Sequence, residues 1–337
     1  MFQETDFKKS STLEETAGAL QACSRCAVFS HEEPDGDAIG SQVAVTLALR
    51  GLGKTAIALR SDPISPTLAF LNRGSVIEKY DPPRHDPLLA RCDAVAMVDC
   101  CDFYRLGRLE TAAKTVPGPV VNIDHHRDNG FFGAVNYVRF SAGGAAQLVF
   151  ETLKAMGVAI AGQIAEALYV GLSTDTVNFR YIDPEGRMIG MLGELVEAGI
   201  DIELLQERLY CSNRDTYLDD LYAILRSVSY ERDGNLAWFT LYRSEHLSFY
   251  QRELASEALK QLLSLERVRA AVMMHEENAG VEVWLRSKRD ADVGSAAKVL
   301  GGGGHQTAAG ALLRGARLEE AIPRVLEEVS ARMGARP

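Results

Sequence analysis

The sequence predicts an α/β protein: a parallel-rich sheet flanked by helices, then a helical connector, then a smaller α/β domain. Three stretches carry that prediction. Ala27-Val28-Phe29-Ser30, Ala94-Val95-Ala96-Met97-Val98 and Val120-Val121-Asn122-Ile123 are short, nearly continuous apolar runs, the pattern of strands buried on both faces. Each gives way at once to acidic or imidazole groups, and helical spacing intervenes. In open α/β sheets ligands bind beyond the carboxyl ends of the strands, so residues distant in sequence converge there.

Thr12-Leu13-Glu14-Glu15 has capping-box spacing and predicts a first helix over about residues 12–24. After the first strand, V-F-S-H-E-E-P-D-G-D-A-I-G-S from Val28 to Ser41 puts His31, Asp35 and Asp37 on a strand-to-helix turn. An amphipathic segment with Val43, Val45, Leu47 and Leu49 follows, closed by Gly51. Gly36 is read as letting the backbone turn tightly between the two aspartates. Residues 55–59 predict another strand, whereas the proline-containing stretches 61–66 and 81–87 predict loops. Helices over about 143–156 and 160–172 lead into a stretch that carries Asp175. Leu192, Leu195, Leu204, Leu205 and Leu209 are spaced for buried helical faces, and residues 185–229 are read as connecting helices between domains at 1–184 and 230–337. The second domain predicts strands near 236–241, 268–274 and 281–285 and helices near 255–265, 293–300 and 318–329.

Length and composition set the bounds. With 337 residues and 47% hydrophobic content, two domains are the expectation. No run of about 18 apolar residues occurs, and M-F-Q-E-T-D-F-K-K-S lacks the order of a secretory signal, so a soluble, cytoplasmic protein without a membrane partner is expected. The six cysteines are irregularly spaced and suggest no disulfide framework. Cys23-Ser24-Arg25-Cys26 is read as a pair of buried or half-buried thiols, with redox chemistry as the other reading of C-x-x-C. A net charge of −10 argues against coating long duplex nucleic acid. It leaves room for a short anionic substrate held by metals and a few arginines.

His31, Asp35 and Asp37 mix nitrogen and oxygen donors that suit Mn²⁺, Zn²⁺ or Fe²⁺ better than Ca²⁺. Taken alone, P-D-G-D is also ordinary turn chemistry. The strand ends shift the balance, because Asp99, Asp124, His125, His126 and Asp175 are expected in the same crevice. Such a set exceeds one tetrahedral site and suits two ions about 3.5–4 Å apart with a bridging carboxylate. Hydrolysis of a phosphoester or phosphoanhydride is the chemistry that follows.

In order, H-E-E-P-D-G-D-A-I-G-S, M-V-D, D-H-H and G-L-S-T-D-T resemble the four motifs of the DHH phosphoesterase family. V-W-L-R-S-K at Val283 to Lys288 and G-G-G-G-H-Q-T-A-A-G at Gly301 to Gly310 resemble the DHH-associated C-terminal domain. The combination is similar to the bacterial oligoribonuclease and 3′-phosphoadenosine 5′-phosphate phosphatase type, which includes members acting on cyclic di-AMP or its linear product. The resemblance implies two divalent ions, Mn²⁺ foremost with Mg²⁺ or Co²⁺ as alternatives. His31 and Asp35 would hold one ion, Asp37, His125 and Asp175 the other, and Asp99 would bridge. His126 would face the substrate, and Asp124 would orient the ligand histidines.

Four glycines after Leu300 read either as a helix stop or as a loop whose N–H groups approach an anion. The resemblance favours the second, with Gly302, Gly303, Gly304 and His305 holding a nucleotide. Arg286 is the candidate for a bidentate contact to phosphate, while Lys288 and Arg289 are also explained as solvated surface. The substrate, a short oligoribonucleotide or nucleotide, is expected in the cleft between the domains, and a homodimer is an allowed assembly. Val177-Asn178 stand where many relatives have a glycine, making that wall bulkier. A manganese inorganic pyrophosphatase and a non-catalytic nucleotide sensor are the competing readings. The C-terminal glycine motif argues against the first and the intact donor set against the second.

Overall fold

Alternation along the apolar runs decides how the sheet is covered. Cys26 and Val28 of the first strand enter one core and Ala27 and Phe29 another, and Ala94, Ala96 and Val98 divide from Val95 and Met97 in the same way. The strands are therefore sandwiched between two layers, which is why their sequences are apolar throughout. The computed structural model describes residues 10–241, 247–304 and 306–334 and comprises two compact units, Met1–Ser212 and Asn213–Pro337.

The first unit contains α1 (Leu13–Ala22), β1 (Arg25–Phe29), α2 (Gly36–Gly51), β2 (Thr55–Arg60), β3 (Ile77–Lys79), α3 (Pro82–Leu89), β4 (Ala94–Val98) and α4 (Glu110–Lys114). It continues with β5 (Val120–Asp124), β6 (Val135–Val138), α5 (Ala145–Ala155), α6 (Gly162–Asp175), α7 (Arg187–Glu197) and α8 (Ile202–Tyr210). All six strands run parallel in the order β3-β2-β1-β4-β5-β6. That is the doubly wound order, and its direction reverses between β1 and β4, where such sheets open a crevice. The motifs after β1, β4 and β5 all issue at or beside that point.

Several local expectations are corrected. The capping box of α1 forms, Thr12 and Glu15 each accepting from the other's backbone N–H, but the helix ends at Ala22. Residues 81–87 are not loop: α3 starts on Pro82 and Pro83, because a proline in the first turn gives up only an N–H that would be unpaired anyway. α2 is not amphipathic but buried on nearly every side, as a helix packed between sheet and α6 must be. Gly36 lies inside α2, where a Cβ would fall 2.4 Å from Thr174 Oγ1, and a Cβ at Gly40 would fall 2.3 Å from the Ala167 carbonyl. These glycines permit the close crossing of α2 and α6, not a tight turn. α6 also runs on through Asp175.

The second unit holds α9 (Tyr217–Arg226), β7 (Ser229–Glu231), β8 (Leu236–Leu241), α10 (Phe249–Ser264), β9 (Ala270–Glu277), β10 (Gly280–Ser287), α11 (Val293–Val299), β11 (Gly303–Gly304), β12 (Ala308–Arg314) and α12 (Leu318–Ala331). Its sheet order is β11-β12-β10-β9-β8-β7, antiparallel except between β8 and β9. Val272 and Met274 face α11 and α12, whereas Ala271 and Met273 face α9 and α10. Of the helices at 185–229, α7 and α8 fall in the first unit and α9 in the second.

Candidate metal centre

At the end of β1 the chain turns into α2 with Asp35 as N-cap, its Oδ1 accepting from the Ala38 N–H at 3.0 Å. His31 Nδ1 lies 2.6 Å from the Glu32 carbonyl. A carbonyl only accepts, so Nδ1 carries the proton and Nε2 offers its lone pair. That nitrogen is 3.3 Å from Asp99 Oδ2 and 3.9 Å from Asp35 Oδ1. Asp37, fully buried, is cradled by the start of α5: its oxygens accept from the Ala145 and Ala146 N–H groups at 2.5 and 2.8 Å. A Cβ at Gly144 would sit 2.8 Å from Asp37 Oδ2, so glycine is what lets α5 begin there.

Asp99 follows β4 in the left-handed region at φ 51°, which aspartate tolerates better than most residues. It is 2% exposed, and its Oδ1 stands 3.5 Å from His125 Nε2 and 3.6 Å from His126 Nδ1. That oxygen has no hydrogen-bond partner. Burial alone would raise the Asp99 pKa, but the imidazoles of His125 and His31 hold it well below the usual carboxylate range. Beyond β5, His125 Nε2 also lies 3.6 Å from Asp175 Oδ2 and 4.0 Å from Asp37 Oδ2. Burial, reinforced by Asp99 and Asp175, pushes Asp37 well up, and burial with Asp35 and Asp99 nearby pushes Asp175 up to about 6.

Three groups of donors lie close enough to hold a cation: His31, Asp35 and Asp99; Asp37, His125 and Asp175; and Asp99, His125 and His126. The donor set fits divalent ions. Buried carboxylates that raise one another's pKa, with an unpaired oxygen at their centre, are stabilised by positive charge between them.

Asp124 directs His126, its Oδ1 accepting from Nδ1 at 2.7 Å while its Oδ2 accepts from Asn129 Nδ2 at 2.5 Å. Its imidazole partner is thus the histidine expected to face substrate. Burial opposes a charge on His126, but Asp124 raises its pKa to about 9. Three supporting residues lay outside the sequence reading. Arg60, 3% exposed, donates from Nη2 to the His31 carbonyl at 2.5 Å. Asn122 accepts from Asn129 at 2.8 Å and donates to the Cys100 carbonyl at 2.9 Å, linking the turns after β4 and β5. A polar residue inside an apolar strand, and a charge closing one, were the available signals.

The remaining expected contacts belong to the second unit. Arg286 on β10 is half-buried, donates to the Leu285 carbonyl at 3.0 Å, and has no carboxylate partner among the described residues, so burial lowers its pKa. The Gly302 N–H is bonded to the Ala297 carbonyl at 2.8 Å, and a Cβ on Gly302 would fall 2.0 Å from the Gly310 carbonyl. Gly303 and Gly304 pair with Gly310 and Ala309 of β12. His305 lies outside the described residues.

Phosphoester hydrolysis requires charge on both the attacking and the leaving oxygen to be stabilised at once, and neighbouring cation sites sharing a carboxylate meet that need. The fold and cluster fit a metal-dependent phosphoester hydrolase. Residues 25–172 match the DHH family, N-terminal domain, and residues 247–335 the DHHA1 domain. The chain is 31% identical over 302 residues, 90% of its length and 88% of the other's, to the bifunctional oligoribonuclease and PAP phosphatase NrnA of Thermus thermophilus. A solved exopolyphosphatase-related protein from Bacteroides fragilis shares the fold, with a TM-score of 0.84, 23% identity and 95% of each chain covered. RecJ of Thermus thermophilus, solved with Mn²⁺, matches with a TM-score of 0.55 and 15% identity, over 96% of this chain and 55% of that one. The chain belongs to the DHH phosphoesterase family and is a metal-dependent nucleotide phosphoesterase.

Proposed function

We propose that this enzyme hydrolyses short nucleotide substrates, namely nano-RNA, linear dinucleotides such as pApA, and 3′-phosphoadenosine 5′-phosphate, with cyclic di-AMP as a further candidate. The observation that carries the reading is Asp99, buried and with one oxygen unpaired, among the imidazoles of His31, His125 and His126. His31 and Asp35 would hold one ion, Asp37, His125 and Asp175 the other, and Asp99 both. Mn²⁺ is the ion we assign, with Mg²⁺ or Co²⁺ as substitutes. Bound there, divalent ions supply charge stabilisation at phosphorus and make water acidic enough to attack at neutral pH.

The chain's own residues do the rest. Asp124 fixes His126 with Nδ1 protonated, leaving its Nε2 to contact a phosphate oxygen or to hold the proton that the departing oxygen needs. Arg286, half-buried without a counter-charge among the described residues, suits a phosphate of the substrate, and Gly303, Gly304 and His305 are the other groups we assign to nucleotide binding. The net charge of −10 repels long polyanions, so recognition is confined to a few nucleotides. The DHHA1 match over 247–335 favours a nucleotide over pyrophosphate, and the complete donor set favours turnover over sensing.

The test is a panel of pApA, 3′-phosphoadenosine 5′-phosphate, cyclic di-AMP, short RNA and pyrophosphate with Mn²⁺, Mg²⁺ or Co²⁺. Turnover of dinucleotide or bisphosphorylated nucleotide well above pyrophosphate is the expected result. Pyrophosphate as the sole substrate, or no metal-dependent turnover at all, would overturn the reading.

A further inference from the structure

Beyond Asp175 the chain takes a path that holding a metal does not require. Val177, Asn178 and Phe179 have φ values of 54°, 56° and 61° in succession. A left-handed β-branched residue is a genuine outlier, and such a run persists only where the surroundings over-determine it. They do so here. The Phe179 N–H donates to Thr176 Oγ1 at 2.9 Å and the Tyr181 N–H to the Thr176 carbonyl at 3.1 Å. From α8, Gln206 Nε2 donates to Asn178 Oδ1 at 2.9 Å, while the Phe179 ring packs 5.5 Å from that of Tyr169. Two residues past Tyr181 the chain is pinned again, the buried Asp183 carboxylate accepting from the Arg187 and Met188 N–H groups at 3.0 and 2.9 Å.

Between these anchors Tyr181 and Ile182 stand 59% and 52% exposed. A braced loop thus holds two large, mainly apolar side chains in water. They line a cavity of about 150 Å³ that Asp175 and Thr176 also line, closed on another side by residues 141–143. Gly143 lets that side approach Met188, since a Cβ there would fall 2.8 Å from Met188 Sδ. One wall of the cavity is therefore a residue of the metal centre, and the other is an aromatic ring with an aliphatic neighbour.

We propose that Tyr181 and Ile182 form a nucleobase shelf: the base of the nucleotide whose phosphate sits at the Asp175 side of the centre stacks on the Tyr181 ring, with Ile182 against its edge. The proposal rests on the nucleotide reading above and names the part of the substrate this wall would take. A base attached to the reacting phosphate must lie within a nucleotide's length of Asp175, and its flat apolar faces match a tyrosine ring whatever its identity. Because the Asp183 carboxylate is taken up by α7, the shelf would supply affinity for a base without reading which base it is.

Binding of AMP and of ribose 5-phosphate to the manganese-loaded full chain, measured by calorimetry, tests this without relying on turnover. The wild-type chain should prefer AMP by roughly tenfold, the order of one base–aromatic stack. Tyr181→Ala should erase the preference by weakening AMP alone, Tyr181→Phe should restore it, and in kinetics on pApA the loss should appear in KM. An undiminished preference in Tyr181→Ala, equal weakening of both ligands, or a Phe variant that behaves like Ala would overturn the proposal. If pApA is hydrolysed but the wild-type chain binds both ligands equally, the shelf alone is wrong. If neither ligand binds and pApA is not hydrolysed, the nucleotide reading falls with it.

Discussion

Replacing Asp99 by asparagine removes one charge from the middle of the centre and little else. Asparagine has the same shape and tolerates the left-handed backbone, φ 51°, that position 99 requires. What it lacks is a carboxylate with an anionic oxygen toward each donor group, Oδ2 standing 3.3 Å from His31 Nε2 and Oδ1 3.5 Å from His125 Nε2. At the effective dielectric of a protein site, one unit charge about 4 Å from another is worth about 4 kcal/mol. At about 1.4 kcal/mol per decade, that corresponds to roughly a thousandfold in rate. Asp99→Asn should therefore lose at least one bound ion on gel filtration in metal-free buffer, and its kcat/KM on pApA at saturating Mn²⁺ should fall about a thousandfold. It should still melt cooperatively without metal, which separates a lost site from a lost fold. Two retained ions with a rate within about tenfold of wild type would refute the bridging role.

His126→Ala should behave differently, keeping its manganese while losing rate, because its Nδ1 is committed to Asp124 and its proposed role is toward substrate; equal metal loss in both variants would contradict that division. Mn²⁺ affinity should rise from about pH 6 to about pH 8, since ligand groups raised in the metal-free site, the imidazoles of His31 and His125 beside their carboxylates and Asp175 at about 6, hold protons that an incoming cation must displace. Calorimetry in buffers of different ionisation enthalpy should show proton release, and its absence would count against the ligand set. Arg286→Ala should raise KM for pApA by roughly ten- to a hundredfold, as for a lost hydrogen bond to a charged group, without lowering the melting temperature, because among the described residues the guanidinium has no carboxylate partner and bonds to the neighbouring Leu285 carbonyl; a drop in stability with unchanged KM would make Arg286 structural. Val177→Gly relieves a left-handed conformation costing about 1–2 kcal/mol but adds about 0.5–1 kcal/mol of unfolded-state entropy, so melting should shift upward by a few degrees at most, and a clear loss of stability would show that the valine side chain is needed for packing.

Much of the candidate metal centre could be read from one dimension because parallel strands impose two local signatures. Burial on both faces makes each strand an unbroken apolar run, and opening the sheet at its carboxyl edge puts the functional groups immediately after it. Val98 is followed by Asp99 and Ile123 by Asp124, His125 and His126, so order along the chain already lists what meets in space. The helix over residues 82–89 escaped notice because prolines were weighed as breakers, although a helix's first turn has no N–H for them to spoil. β12 escaped because its A-A-G-A-L-L-R has little β-propensity, and it becomes a strand by pairing with Val283 to Leu285 across the sheet.

The sequence by itself determined which residues could meet a metal, since side-chain chemistry and strand periodicity are local properties. Only the tertiary structure decided what surrounds them. That Gly36 serves a helix crossing, that Asp124 holds His126, that Arg60 and Asn129 brace the turns, and that Tyr181 stands in water beside Asp175 all depend on contacts between segments far apart in the chain. Distance, burial and electrostatic shift belong to pairs of such segments, and no single stretch of sequence encodes them.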